Sequence, residues 1–305
     1  GSRSINIMLE PMRKAGAAGR EMLVAAAASV WGIPVADCYA QNHEVRNRRD
    51  DRTLSYGDLA SLAATQPVPE EPRLKARSEF RYIGKPLKRH DQPEIVTGRR
   101  VYGADVKLPG MKYAAIRHVP VMGGSVVSVD DSAIQGMKGV VGVVRIPRFE
   151  HAYGSLGGVA VVADNTWTAQ QAVAKLKIEW DRGPHGDYDT DAYKQMLVRN
   201  VEAPGEEAFK RGDVDAALEK AVVRHAGTYV GGHLSHSPME PMASAAIVTD
   251  DKCEIWASTQ DPQGVQKAIA KYLDRKPEDV VMHVMASGGA FGRKFKGDYV
   301  QEAVA

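Results

Sequence analysis

The chain has 305 residues, of which 44% are hydrophobic and 26% are charged. These fractions match ordinary folded proteins, so neither disorder nor a fibrous architecture is expected, and the length allows two or three compact domains. Forty Lys and Arg residues against 38 Asp and Glu residues leave a net charge of +2, which argues against nucleic acid and anionic membrane surfaces as partners.

The first part of the chain is predicted to contain two helices and a linker. Apolar residues recur at helical spacing through residues 11–30, and a Gly-Ile-Pro sequence at 32–34 ends that helix. A polar stretch at 41–51 then leads to a short helix at 56–64. Three prolines in residues 65–73 cannot join a helix or a central strand, so this stretch is predicted to be a linker.

The middle of the chain is predicted to be a mixed α/β region. Short β-type runs alternate there with Gly, Pro and Asp turns. The predicted elements are strands at 113–119, 125–129, 140–146, 158–162 and 176–180, and a helix at 168–175. Trp167 and Trp180 are expected to anchor the core of this region.

A third region follows the polar segment at 183–207. The predicted elements are helices at 214–221 and 263–273, strands at 223–229, 245–248, 254–257 and 280–285, and a helix at the chain end. Cys38 and Cys253 lie far apart without a CxxC spacing, so neither structural zinc nor an iron–sulfur cluster is expected on this chain alone. The abrupt start and end of the sequence predict that both termini are internal to a longer chain.

The most informative segment is a glycine-rich turn after the strand predicted at 280–285. Glycines allow backbone N–H groups to approach an oxyanion, a phosphate or a metal-oxo group. The segment has neither the GxGxxG spacing of a dinucleotide site nor the Gly-Lys-Ser/Thr ending of a P-loop, and an ordinary turn remains the alternative. The candidate binding residues are Gly288, Gly289, Ala290, Phe291, Gly292 and Arg293.

Two further segments carry polar side chains of interest. His233, His236 and Glu240 fall within eight residues, but the neighbouring prolines predict extended or turn backbone and disfavour a zinc site. We therefore expect no protein-ligated metal. A Ser-Thr-Gln sequence at a predicted strand end delivers the neutral amide of Gln260 into a loop, where simple capping is the alternative role.

The order and spacing of these three segments resemble the cofactor-binding part of the large subunit of xanthine-oxidase-type molybdenum hydroxylases. In that family a Met-Glu-Pro segment precedes a Ser-Thr-Gln strand, and a Gly-Gly-x-Phe-Gly loop follows one helix and one strand later. The resemblance implies that Gln260 hydrogen-bonds an oxo ligand of molybdenum and that the backbone at Phe291 and Gly292 approaches the metal. Arg293 stands where many members have Gly. The sequence looks most like the isoquinoline 1-oxidoreductase branch and its membrane-associated aldehyde dehydrogenase relatives.

The resemblance also implies an α+β fold in which a hammerhead α/β domain lies between parts of two molybdopterin-binding lobes. Ser2 and Ser4 resemble a Gly/Ser segment near the phosphate end of the cofactor, and a terminus without a role is the alternative. The implied domains are part of the second lobe at 1–66, a linker at 67–79, the hammerhead domain at 80–182 and the first lobe at 183–305.

The implied activity is hydroxylation of an aldehyde or an N-heteroaromatic substrate with oxygen from water. The implied cofactor is a molybdopterin-type molybdenum cofactor, with its cytosine dinucleotide form as one option. Phe295 stands where purine-oxidising members carry Glu, so xanthine is disfavoured. The family's Gly-Gln-Gly segment is expected before Gly1, and the Gly-Glu motif that supplies the general base is expected after Ala305, so the catalytic site on this chain is incomplete.

The implied partners are a small subunit carrying iron–sulfur clusters and, as an option, a cytochrome c subunit. A periplasmic or periplasm-facing, membrane-associated location is a family expectation. The alternative function is a non-catalytic binding or assembly protein that keeps the fold without a cofactor. A zinc hydrolase that uses His233 and His236 is the third and least favoured hypothesis.

Overall fold

The computed structural model describes residues 3–150 and 153–305. The chain divides into two compact units, Gly1–Arg99 and Arg100–Ala305. The helices are α1 (Ser4–Trp31), α2 (Tyr56–Ala63), α3 (Gln92–Val96), α4 (Thr166–Lys175), α5 (Thr190–Glu202), α6 (Val214–Glu219), α7 (Pro262–Tyr272) and α8 (Asp298–Val304). The strands are β1 (Cys38–Gln41), β2 (Glu44–Asn47), β3 (Thr53–Ser55), β4 (Tyr113–His118), β5 (Ser125–Asp130), β6 (Val140–Ile146), β7 (Gly158–Ala163), β8 (Lys177–Asp181), β9 (Ser244–Val248), β10 (Cys253–Ala257) and β11 (Val280–Val284).

The first unit packs α1 and α2 against a small antiparallel sheet with strand order β1-β2-β3. Its core combines alanines of α1 with Val45 of β2 and Leu59 of α2. The helix predicted at 11–30 is present, and the left-handed φ of Gly32 ends it as expected. It begins seven residues earlier than predicted and contains Pro11, because one proline removes a single hydrogen bond near the start of a long helix.

The polar stretch predicted at 41–51 contains a strand that the sequence prediction missed. β1 and β2 form a hairpin whose two turn residues, Asn42 and His43, have φ values of 52° and 65°. Positive φ at both central positions is typical of the tightest hairpin turns, and Asn accepts it more readily than most residues. The next helix, α2, is confirmed, with a capping box between Ser55 and Asp58.

The second unit begins with the sheet β4-β7-β6 and the antiparallel pair β5-β8. The strands and the helix predicted between 113 and 180 are confirmed to within two residues of their bounds. α4 contributes Ala172 and Val173 to a core that includes Val159 and Val161 of β7. The prediction for Trp167 is wrong: it is 70% exposed, because α4 turns the face that carries Ala169 and Ala172 inward.

The rest of the second unit is built around the sheet β11-β10-β9. β10 runs antiparallel to β9 and parallel to β11, and α7 makes the crossover between the parallel strands. The core of this part combines β10, α7 and α8, with Ile255, Ile269 and Val300 completely buried. Because carboxyl ends of adjacent parallel strands lie at one edge of a sheet, the segments after β10 and β11 emerge side by side.

Two predictions between residues 183 and 243 are wrong. The strand predicted at 223–229 does not form, and Val223 and Tyr229 are exposed, because alternation of apolar residues makes a strand only where another strand can pair with it. The polar segment at 183–207 contains α5, whose N-terminus is capped by Asp189. The fold is a mixture of helices and small sheets. Across residues 3–150 and 153–305, no helix is both long and apolar enough to cross a membrane.

We expect Gly158→Ala to destabilise the second unit by about 1–3 kcal/mol, the usual cost of overpacking a buried position. Gly158 has a φ of +155°, and an added Cβ would lie 2.2 Å from the carbonyl oxygen of Arg117 in β4. The measurement is chemical denaturation. Gly142→Ala in β6 is the control, because a Cβ there has open space around it. Equal stability of the two variants would contradict the register of β4 and β7.

Candidate functional site

The parallel pairing of β10 and β11 positions the site. Gln260 lies three residues beyond the end of β10, and the glycine loop of residues 288–293 begins four residues beyond the end of β11. The backbone N–H of Gln260 donates to the carbonyl oxygen of Lys294 at 3.0 Å, and Thr259 Oγ1 donates to the same oxygen at 3.2 Å. The structure therefore brings the backbone of Gln260 to the carboxyl end of the glycine loop.

The loop has an unusual backbone that leaves donors free. Gly289, Phe291 and Gly292 have φ values of +103°, +53° and +93°. Within the part of the chain that the structure describes, the N–H groups from Gly289 to Gly292 make no hydrogen bond to protein, and neither does the exposed side-chain amide of Gln260. Consecutive backbone donors of this kind bind anions and oxo groups. The residues present therefore fit a cofactor that offers such groups.

The remaining predicted site residues are placed as follows. Arg293 forms two hydrogen bonds with the carboxylate of Asp298 in α8, at 2.9 Å and 2.8 Å, so its charge is already paired. The ring of Phe291 is 73% exposed. Ser4 is the exposed first residue of α1 in the first unit. Ser2 lies outside the residues that the structure describes.

Glu240 and Lys294 form a buried ion pair beside the glycine loop, which the sequence did not predict. The Nζ of Lys294 and the Oγ of Ser258 donate to the Oε2 atom of Glu240, the latter at 3.3 Å. The N–H of Gly288 donates to Oε2 at 2.7 Å, and the N–H of Ala104 donates to Oε1 at 3.1 Å. Burial alone would raise the pKa of Glu240, but the hydrogen bonds from Lys294, Gly288 and Ala104 outweigh it and hold that pKa below its usual value.

His233 and His236, which precede Glu240 in the sequence, do not form a metal site with it. His233 Nε2 lies 2.7 Å from the hydroxyl of Tyr188, and its ring stacks on Tyr193. His236 lies near Gly292, where an added Cβ would be 3.9 Å from its Nε2 atom. Among the described residues there is no group of three or more His, Cys, Asp or Glu side chains arranged to hold a metal ion.

A second polar cluster joins β4 to α8. His118 Nε2 lies 3.0 Å from Glu302 Oε1, to which Ser155 Oγ also donates at 2.6 Å. The hydrogen bond and charge of Glu302, aided by Asp298, raise the pKa of His118 despite partial burial and the opposing charge of Arg293. Gln301 accepts the N–H of Ser155 at 3.0 Å. This cluster fixes the segment that follows the glycine loop against β4.

The chain is similar to oxidoreductase subunits over nearly its whole length. Residues 198–305 match the family model described as Molybdopterin cofactor-binding domain. The beta subunit of isoquinoline 1-oxidoreductase from Brevundimonas diminuta is 30% identical over 97% of this chain and 42% of its own length. The molybdenum-binding subunit PaoC of the aldehyde oxidoreductase from Escherichia coli is 28% identical over 71% of this chain and 32% of its own length.

A solved structure shares the fold. The aldehyde oxidoreductase from Desulfovibrio gigas aligns with a TM-score of 0.51 and 21% identity, covering 71% of this chain and 28% of that one. The domain match assigns a molybdopterin cofactor-binding domain to residues 198–305, and the solved structure shares the fold. The resemblance to xanthine-oxidase-type molybdenum hydroxylases that the sequence predicts is confirmed by these relatives and by the domain match. The chain spans less than half the length of the two relatives named above.

The raised pKa of His118 predicts a pH-dependent contribution to stability. A group whose pKa is higher in the folded state stabilises that state fully below its unfolded pKa, about 6.5, and the contribution is lost as the pH rises through the folded pKa. The effect should be small, because the His118 side chain is 52% exposed. Measured denaturation midpoints should therefore fall as the pH rises above roughly 6.5.

His118→Gln should flatten that part of the profile, because a glutamine does not titrate. His225→Gln is the control, since His225 is exposed and makes no ion pair within the described residues. A His118→Gln profile that still falls over this pH range would assign the dependence to other groups.

Proposed function

We propose that this chain is part of the large subunit of a molybdenum-cofactor-dependent enzyme that hydroxylates an aldehyde or an N-heteroaromatic substrate with oxygen from water. One observation carries the proposal: the amide of Gln260 and the free N–H groups of residues 289–292 emerge at the same sheet edge, after parallel strands. When bound, the cofactor supplies the metal centre and accepts the electrons of the oxidation.

In this proposal, residues of this chain bind the cofactor and orient the groups beside the metal. The side chain of Gln260 carries both a donor and an acceptor, so it can hold an oxo group or a water molecule beside the metal position. The N–H groups of residues 289–292 would be fixed before the ligand arrives. Donors fixed in advance stabilise developing negative charge without a reorganisation cost. Lys294 is completely buried and takes no direct part.

We further propose the domain division that the sequence predicts. Residues 80–182 would form the hammerhead domain, 183–305 the first molybdopterin-binding lobe and 1–66 part of the second. The two-sheet arrangement of β4 to β8 around α4 supports a separate α/β module in the middle of the chain. Ser2 and Ser4 would serve the phosphate end of the cofactor, in its cytosine dinucleotide form if that form is used.

One aromatic residue supports the proposed substrate class. Phe295 contacts the ring of Tyr153 edge-on, with 5.5 Å between ring centroids. An apolar ring at this position offers no charged group to a purine, whereas it suits an aldehyde or a heteroaromatic ring. We therefore propose that xanthine is not the substrate.

Electrons would leave through a partner. The two cysteines, Cys38 and Cys253, are both buried and lie far apart in the sequence, so iron–sulfur clusters would lie on a small separate subunit, with a cytochrome c subunit as a further carrier. Both relatives described above are named as subunits, which supports an assembly of this kind. A periplasmic or periplasm-facing location is part of the same proposal.

The direct test is metal analysis of the native complex that contains this chain. Molybdenum at one atom per copy supports the enzyme. A folded complex without molybdenum, purified from cells with an intact cofactor supply, would favour a non-catalytic binding protein of the same fold.

Within that complex, Gln260→Ala should lower kcat by roughly 100- to 1,000-fold, the usual range for removal of one preorganised donor, while molybdenum content stays close to that of the unaltered enzyme. Steady-state kinetics and metal analysis on the same preparation measure both. Gln263→Ala is the matched control, because Gln263 is an exposed residue of α7. Unchanged turnover in Gln260→Ala would remove Gln260 from the site.

A further inference from the structure

A single carboxylate holds both ends of the glycine loop. The Oε2 atom of Glu240 accepts hydrogen bonds from the N–H of Gly288, the first residue of the loop, and from the Nζ of Lys294, the residue that follows the loop. The N–H of Glu240 donates back to the carbonyl oxygen of Gly288 at 3.1 Å. The residues between Gly288 and Lys294 are the ones with left-handed backbone and free donors. Their geometry therefore depends on the two anchored ends.

Lys294 also holds the Gln260 segment through its main chain. Its carbonyl oxygen accepts the N–H of Gln260 and the hydroxyl of Thr259. The hydroxyl of Tyr299 donates to the carbonyl oxygen of Ser258 at 2.8 Å, and burial raises the pKa of Tyr299 to about 12, so that donor keeps its proton at neutral pH. One residue thus links the two candidate cofactor contacts.

The close approach of backbone to carboxylate requires glycine at two places. A Cβ on Gly288 would lie 2.7 Å from the Cβ of Glu240, and a Cβ on Gly103 would lie 3.1 Å from the Oγ of Ser258 and 3.3 Å from the Oε1 of Glu240. All three distances are below ordinary van der Waals contact. These glycines allow neighbouring N–H groups to satisfy a carboxylate that is 8% exposed.

We propose that Glu240 and Lys294 are positioning residues whose ion pair holds the N–H groups of residues 289–292 and the amide of Gln260 in one geometry. The Lys294 side chain is 0% exposed, so it acts through the loop and not on substrate. A buried pair adds little net stability but fixes which groups meet, since removing one partner leaves an uncompensated charge. The inference rests on the proposed function, because those groups are the proposed cofactor contacts.

The test uses the native complex with Lys294→Met, Glu240→Gln and the double variant. Each substitution keeps the approximate side-chain size and removes one charge. We expect amide hydrogen exchange in peptides covering 258–262 and 286–296 to rise by about tenfold or more in the single variants. Molybdenum content should fall, and the copies that retain molybdenum should show a lower kcat with little change in KM, since the reacting groups are misplaced.

Three controls separate positioning from general damage. Lys112→Met removes a lysine from the exposed pair with Asp164 and should change none of these measurements. Ile269→Ala weakens the same core without touching the loop and should leave exchange of the two peptides close to that of the unaltered protein. If the single variants do not fold, the double variant decides, because it buries no unpaired charge.

Two outcomes would overturn the inference. The first is a folded Glu240→Gln, Lys294→Met double variant whose amide exchange and molybdenum content match those of Ile269→Ala. The ion pair would then have only a structural role. Loss of stability without a local rise in exchange in either peptide would do the same. If the unaltered complex contains no molybdenum, the proposed function fails, and the exchange measurements still decide whether the pair positions the loop.

Discussion

The candidate functional edge of the second unit depends on the burial of one carboxylate and one ammonium group. Burying two opposite charges avoids a large free-energy cost only if they form an ion pair and their remaining donors and acceptors are hydrogen-bonded. For Glu240 those positions are filled by Ala104, Ser258 and Gly288, which come from three separate segments. Satisfying a single side chain therefore fixes the segment before β4, the end of β10 and the glycine loop relative to one another.

Most regular elements of the fold could be predicted because their signals are local. β6 and α7 have alternating or helical patterns of apolar residues that survive in the structure, at 140–146 and Pro262–Tyr272. The β1–β2 hairpin and α5 carry mostly polar residues, so an apolar pattern could not reveal them. Their signals lie in the Asn42 turn and the Asp189 cap, which are short and common in other contexts.

The site was predictable only in part for the same physical reason. The glycines and Gln260 stand out in the sequence, and their order resembles a known family. The contact between Glu240 and Lys294 spans 54 positions, and Lys294 follows Arg293 in a turn, where a lysine is normally exposed. Nothing local distinguishes it from a surface residue. It is buried where it contacts Glu240 and the segment after β10, and no local pattern specifies these contacts.

The pairing of the charged side chains around the glycine loop also determines what kind of ligand the loop can bind. Lys294 is paired with Glu240, and Arg293 is paired with Asp298. The exposed side of the loop therefore offers the neutral N–H donors of residues 289–292 and the neutral amide of Gln260. A cationic face would attract any anion through long-range charge. Neutral donors act over hydrogen-bond distance and depend on direction, so recognition rests on the shape and acceptor positions of the ligand. Such selectivity requires a backbone that does not move when the ligand binds, and charges enclosed at the two ends of the loop provide that rigidity without competing for the ligand.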